Sequence, residues 1–423
     1  MNSSGIYGLG IANPEGLEHG IPFARSPGTK VTERLSHPPL SDTRSFQREW
    51  AALTECVSPW RDNERTAKAF SGLDWPRLLL LAEAHGVLGH LASSLNGCNA
   101  HHVSPEIKQP LLERQHAQNF LTLCLTAELF RLLELFNAQG ISALVIKGPV
   151  LAAQAYREPS LRGYGDLDLL VRQRDIRRAW EVMTIHGYEA AIPFDAIDAG
   201  RIPGQYLFSK PDSKLLVELH SDLTLRYFPR RLPLEDFFSR RIQVWLEAHD
   251  VPGPCVEDHL VLICVHGAKH FWERLCWLAD VAGLVSRQTG LDWERARSSA
   301  KSVEAEHLLH AGLRLAVEVL HAELPENVLS RVQDDAVSAT LVAHVLRWLP
   351  AAGCAPPGLC ERAAFRLHMR GNFLAAPAYL LRLSLSPTEE DWQTHGNPTS
   401  HPLLDALRRP FRLAHKYGRP GKG

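Results

Sequence analysis

The residues best placed to do chemistry are Asp166 and Asp168, in the segment Asp-Leu-Asp-Leu-Leu-Val over 166–171. This segment reads as a β-strand, and in a strand residues i and i+2 point to the same face. Both carboxylates therefore project together, while Leu167, Leu169 and Val171 point the other way, into a core. Two carboxylates held side by side repel unless a cation lies between them. Oxygen ligands of this kind suit Mg²⁺ or Mn²⁺, which are commonly held by one or two carboxylates together with substrate phosphates. Asp is also depleted in strands, so two on one face require a reason. The competing explanation is a solvated, acidic strand end.

Three further groups bear on that choice. In Leu-Leu-Val-Glu-Leu-His over 215–220, burying Leu215, Val217 and Leu219 presents Glu218 and His220 together on the open face. The turn Lys147-Gly148 follows the apolar run Ala-Leu-Val-Ile and precedes a helix carrying Leu-Ala-Ala-Gln-Ala. Glycine there lets a phosphate approach backbone N–H groups at a helix N-terminus, and Lys147 adds a point charge. Pro149 suits a first helical turn but has no N–H to offer. Finally, His266 and His270 stand four apart with Lys269 between them. That spacing can bind Zn²⁺, but the Glu of a His-Glu-x-x-His motif is missing. The sharper reading of this helix is that His266, Lys269 or His270 touches phosphate or an acceptor; the blander one is a packed helix with a polar rim. Asp280 reads as an N-cap or a solvated charge, with no role.

The elements that must position these residues follow from periodicity. Residues 1–44 are rich in Gly, Pro, Ser and charge, without apolar period, and read as disordered or loosely attached. Residues 45–140 read as helical. One helix starts near Trp75-Pro76 behind Asp74 as N-cap, and a long one runs from Ser104-Pro105 to Gly140, with Pro110 expected to break or kink it. Residues 141–253 read as a mixed core whose hairpin turns at Pro211-Asp212-Ser213. Residues 254–385 read as a second helical unit, and 386–423 as a tail. The tail ends with Arg408, Arg409, Arg412, Lys416, Arg419 and Lys422, with no acid among them. The fold class is thus α+β, a small mixed β-sheet core flanked by helical regions.

Composition narrows the function classes. A chain of 423 residues suits two or three units, and a formal charge of −1 argues against binding nucleic acid through bulk charge. The eight cysteines form no Cys-x-x-Cys pair and sit mostly in apolar helical text, as buried hydrophobes in a reducing compartment. No apolar run reaches membrane-spanning length, and Met-Asn-Ser-Ser-Gly does not open a signal peptide. A soluble cytoplasmic protein is expected.

Lys147-Gly148, Asp166-Leu167-Asp168 and Glu218 together resemble the nucleotidyltransferase superfamily typified by DNA polymerase β. More narrowly, the chain is similar to the bacterial family of uncharacterised nucleotidyltransferases of the NTP_transf_5 type. The residues that carry the likeness are Ile-Lys-Gly at 146–148, Tyr156, Arg-Gly-Tyr-Gly-Asp-Leu-Asp-Leu-Leu-Val at 162–171, Val-Glu-Leu-His at 217–220 and the segment 266–280. The chain departs from the superfamily pattern where Gly148 is followed by Pro149, and where Asp166 comes 18 positions after Gly148, a longer gap than usual. The resemblance implies a nucleotidyltransferase that moves an NMP group from an NTP, ATP first among them, to a hydroxyl of a small-molecule, peptide or protein acceptor. It implies Asp166, Asp168 and Glu218 as catalytic metal ligands for Mg²⁺ or Mn²⁺. It also implies Lys147, Gly148, Arg162, His220 and Lys269 around the nucleotide, with His220 supporting the carboxylates or contacting the acceptor. The alternative is a non-catalytic nucleotide-binding module, antitoxin-like or accessory to a biosynthetic cluster. A phosphodiesterase using the same carboxylates to activate water is a third class.

Overall fold

The structure is a computed structural model that describes residues 47–97, 103–191, 193–194, 204–213, 215–222, 233–352 and 357–369. Every described residue belongs to one compact unit. The segment expected to be loosely attached at 1–44 and the basic tail at 386–423 lie outside the described residues.

Five strands form the central sheet: β1 (Ala143–Val145), β2 (Asp166–Val171), β3 (Glu189–Ala190), β4 (Gln205–Lys210) and β5 (Leu215–His220), in the order β1-β2-β5-β4-β3. Strands β2 and β5 are parallel; the other neighbouring pairs are antiparallel, so the sheet is mixed. Alternation places Leu167, Leu169, Val171, Val217 and Leu219 in one core cluster. A parallel pair of strands needs a long crossover, and the chain between β2 and β5 supplies it through α7 (Ile176–Ile185), β3 and β4. The hairpin β4–β5 turns through Pro211-Asp212-Ser213, as its residues require.

Before the sheet come α1 (Gln47–Val57), α2 (Asn63–Ala69), α3 (Trp75–Ala84), α4 (Leu88–Gly97) and α5 (Pro105–Ala138). Asp74 caps α3 by accepting from the Arg77 N–H, at 3.2 Å. The expected break at Pro110 does not occur, and α5 runs through it as one helix. Pro110 falls in the second turn, so the missing N–H removes only a bond near the frayed end, and the rest of the helix is held by the core. Leu125, Leu129, Leu132 and Phe136 form a stripe at helical spacing that covers the sheet.

Short helix α6 (Gly148–Ala155) lies between β1 and β2. After β5 come α8 (Leu234–Ser239) and a two-stranded antiparallel ribbon not foreseen in the sequence, β6 (Ile242–Leu246) with β7 (His249–Gly253). Gly253 is needed there because a Cβ would stand 2.6 Å from Val150 Cγ1. Helices α9 (Val256–Lys269), α10 (Leu275–Arg287), α11 (Trp293–Ser302), α12 (Glu306–Leu320), α13 (Glu326–Asp334), α14 (Ala336–Trp348) and α15 (Leu359–His368) follow. Helices α13 and α14 are separate because Asp335 starts α14 by accepting from the Val337 and Ser338 N–H groups. The early and late helical regions that flank the sheet also pack on one another. Leu53, Leu78 and Leu91 share one core cluster with Leu278, Leu308 and Leu341, and the Ser58 hydroxyl donates to the Leu320 carbonyl at 2.7 Å.

Candidate active site

The parallel register of β2 and β5 sets Asp168 directly beside Glu218 and Leu170 beside His220. Side chains at matching positions of neighbouring strands share a face. Asp168, Glu218 and His220 therefore meet on the face opposite the Leu167/Val217 core. His220 Nε2 lies 3.0 Å from Asp168 Oδ1 and 3.5 Å from Glu218 Oε2. One ligand atom from each of these three residues lies within 4.8 Å of the other two, and among the described residues this is the one group of its kind. His266 and His270 do not form such a group. Their rings pack at 4.6 Å between centroids, and both lean on Trp277.

Cationic groups enclose the acids. Lys147 Nζ donates to Asp168 Oδ1 at 2.7 Å. Lys269 Nζ donates to Gln205 Oε1 at 3.1 Å, and Gln205 Nε2 in turn donates to Glu218 Oε2 at 2.5 Å. Gln205 thus joins α9 to the carboxylates. Its only sequence signal was its place on β4 opposite His220. Arg162 Nε and the Tyr156 hydroxyl both donate to Asp280 Oδ1, each at 2.9 Å. Asp280 is buried within α10, neither an N-cap nor a solvated charge. Arg162 Nη1 is buried and has no hydrogen-bond partner among the described residues.

The turn before α6 is held from below. Gly148 has φ of +55°, a left-handed conformation that an L side chain would strain. Buried His259 sets Nε2 2.9 Å from the Ile146 carbonyl oxygen and Nδ1 2.6 Å from the Gln154 side-chain amide, so the end of β1 and α6 share one support. Desolvation pushes His259 down to about 3, so it stays neutral. Pro149 occupies the first turn of α6, which limits the amides available to an anion.

Electrostatics separates the two aspartates. Asp166, half-buried, is pushed up to about 7 by burial and by the negative Asp168 beside it. Burial also acts on Asp168, but the Lys147 charge and the His220 hydrogen bond outweigh it and hold this carboxyl well below the usual range. Burial opposes the charged form of His220, yet its bonds to Asp168 and Glu218 raise it above an ordinary imidazole. His266 is held low by burial and then by Lys147 and its other cationic neighbours. The site is thus a carboxylate centre walled by Lys147, Arg162 and Lys269.

The arrangement fits a divalent cation and a polyphosphate. The donor set is two carboxylates and an imidazole around one point, with Asp166 on the same strand face. The unpartnered Arg162 nitrogen is a buried donor of the kind a phosphate oxygen satisfies. A mixed-sheet core with paired strand carboxylates and a cationic wall is an arrangement suited to phosphate chemistry. A family model described as an uncharacterised nucleotidyltransferase, NTP_transf_5, matches residues 71–321, and the chain belongs to this family. No curated protein and no solved structure matches the chain. Among the described residues no helix is long and apolar enough to cross a membrane.

Proposed function

We propose that this protein is a divalent-metal-dependent nucleotidyltransferase that moves an NMP group from an NTP, ATP in the first instance, to a hydroxyl of a small-molecule, peptide or protein acceptor. The observation that carries the reading is the meeting of Asp168 and Glu218 across the β2–β5 register with Lys147 Nζ on the same carboxylate. Asp166, Asp168 and Glu218 would hold Mg²⁺ or Mn²⁺, which supplies charge neutralisation for the triphosphate and acidifies an acceptor hydroxyl. Lys147 is placed to leave Asp168 for a phosphate oxygen. Arg162, steadied by Asp280, presents its free Nη1 to leaving pyrophosphate. Lys269 marks the side of the site formed by α9, with Gln205 fixing its distance from Glu218. Buried cysteines outside any disulfide, such as Cys255 and Cys264, support a reducing, cytoplasmic setting.

The complete set of strand carboxylates favours this reading over a non-catalytic binding module. The test is incubation of the full chain with α-phosphate-labelled ATP, Mg²⁺ and cell extract. Label transfer with pyrophosphate release is expected, and it separates transfer from diester hydrolysis. Asp168→Asn should abolish the transfer. Calorimetry that shows no NTP binding with Mg²⁺ or Mn²⁺ would overturn the proposal.

A further inference from the structure

We propose that His220 is itself a ligand of the divalent ion, making the centre a two-carboxylate, one-imidazole site that prefers a first-row transition dication such as Mn²⁺ to Mg²⁺. This inference rests on the nucleotidyltransferase reading and deepens it.

The spacing of the donor atoms carries the argument. Two ligands at right angles on bonds of about 2.1 Å stand about 3.0 Å apart, and at tetrahedral angles about 3.4 Å apart. His220 Nε2 is 3.0 Å from Asp168 Oδ1 and 3.5 Å from Glu218 Oε2. The nitrogen, which without an ion donates its proton to Asp168, therefore already stands at coordination-edge distance from both carboxylates, and it releases that proton to solvent when a dication takes its lone pair. Register explains how this comes about: His220 lies two residues past Glu218 on β5, on the same face, and its ring reaches back to Asp168 on β2. Asp166 is one pleat away along β2, about 6.7 Å at the backbone. Its oxygens are not in the group of mutually close ligand atoms. The nitrogen thus joins Asp168 and Glu218 around one ion, and Asp166 adds its carboxylate from farther along the same strand face.

The ligand type then sets the ion. Mg²⁺ demands near-ideal octahedral oxygen coordination and keeps several waters. Imidazole favours first-row transition ions over Mg²⁺, and Mn²⁺ is the member of that series that shares the liking of Mg²⁺ for carboxylate oxygen. Lys147 does not compete as a ligand, because an ammonium has no lone pair; it can only be displaced from Asp168 Oδ1.

The experiment uses the full chain with Mn²⁺ alone and with Mn²⁺ and ATP, read by pulsed electron paramagnetic resonance. Wild type should show nitrogen modulation from a directly bound imidazole. His220→Gln should lose it and bind Mn²⁺ at least tenfold more weakly, with Mg²⁺ affinity within twofold of wild type. His220→Asn replaces it where the Gln variant fails to keep the wild-type circular dichroism spectrum. Mn²⁺ binding without nitrogen modulation overturns the inference, as does modulation that persists in the variants or an equal loss for both ions. In those cases ATP binding still stands and the transferase reading survives. Failure of wild type to bind ATP with either ion overturns both.

Discussion

Lys147 Nζ lies 2.7 Å from Asp168 Oδ1, the same oxygen that His220 Nε2 approaches to 3.0 Å. One carboxylate oxygen thus carries two donors. The ammonium supplies part of the positive charge that a dication would bring. Lys147→Ala should therefore bind Mn²⁺ more tightly without nucleotide, by about tenfold if a single nearby charge is worth about one pKa-unit equivalent. The same variant should bind ATP with Mg²⁺ more weakly. Titration of free Mn²⁺ by its resonance signal, alongside calorimetry with ATP, checks both directions. A loss of both affinities would mean that Lys147 does not compete for the metal seat.

Removing the negative charge of Asp168 should affect folding as well as transfer. The carboxylate is buried and holds both Lys147 and His220. Breaking a buried pair strands the partner charge, and Asp168→Asn should lower unfolding free energy on the order of 2 kcal/mol, with relief of the repulsion from Asp166 offsetting part of the loss. Urea unfolding in metal-free buffer measures it. Unchanged stability would show that Lys147 turns out to solvent without cost.

Asp280 is expected to matter for nucleotide binding although it stands outside the carboxylate centre. It accepts from Arg162 Nε and the Tyr156 hydroxyl in a buried position on α10. Asp280→Asn keeps the shape but removes the charge that orients the guanidinium. ATP affinity should fall about tenfold or more, and stability by about 3 kcal/mol, the lower end for a broken buried pair. Arg162→Lys should lose ATP affinity in the same direction, since an ammonium cannot serve Asp280 and a phosphate with a planar fork. Calorimetry and urea unfolding on both variants decide it.

Stability should fall in mild acid. Burial lowers His85 to about 4, and His90 and His259 to about 3, from an ordinary imidazole value of 6.5. A depressed folded value means that the unfolded chain takes protons the folded one refuses. The stabilising contribution is present above about pH 6.5 and is lost as pH falls toward 4 and 3. Between pH 7 and pH 5 each imidazole should remove on the order of 2 kcal/mol. His90 has both ring nitrogens buried without a partner among the described residues, and its ring packs edge-on against Tyr156 at 5.3 Å. His90→Phe should keep the ring contact and flatten the loss by about one proton's share. Urea midpoints at several pH values give the slope.

The carboxylate pair, the Glu218/His220 parity and the Lys147 turn were legible because each depends on local geometry. Strand alternation fixes which residues share a face without knowledge of the partner strand, and a positive φ at Gly148 follows from a tight strand-to-helix turn. The start of α3 at Asp74 is local in the same way. Pro110 misled because a broken backbone bond near a helix end costs less than the burial that holds the rest of α5. The β6–β7 ribbon was missed because Gln243 and Trp245 alternate with Val244 and Leu246 over only a few residues, too short a run to separate from loop.

By itself, the sequence determined the chemical inventory: two aspartates on one strand face, a glutamate and a histidine on another, and a lysine before a glycine turn. Only the tertiary structure decided which of them meet. The parallel register put Asp168 beside Glu218, and it brought His220 Nε2 to 3.0 Å from Asp168 Oδ1 and 3.5 Å from Glu218 Oε2. It also paired Arg162 with Asp280 across 118 residues of chain and placed Gln205 between Lys269 and Glu218. The physical reason is that facing depends on a two-residue period, which a sequence displays. Contact between strands and helices depends on register and packing, which are set by the burial of residues far apart in the chain.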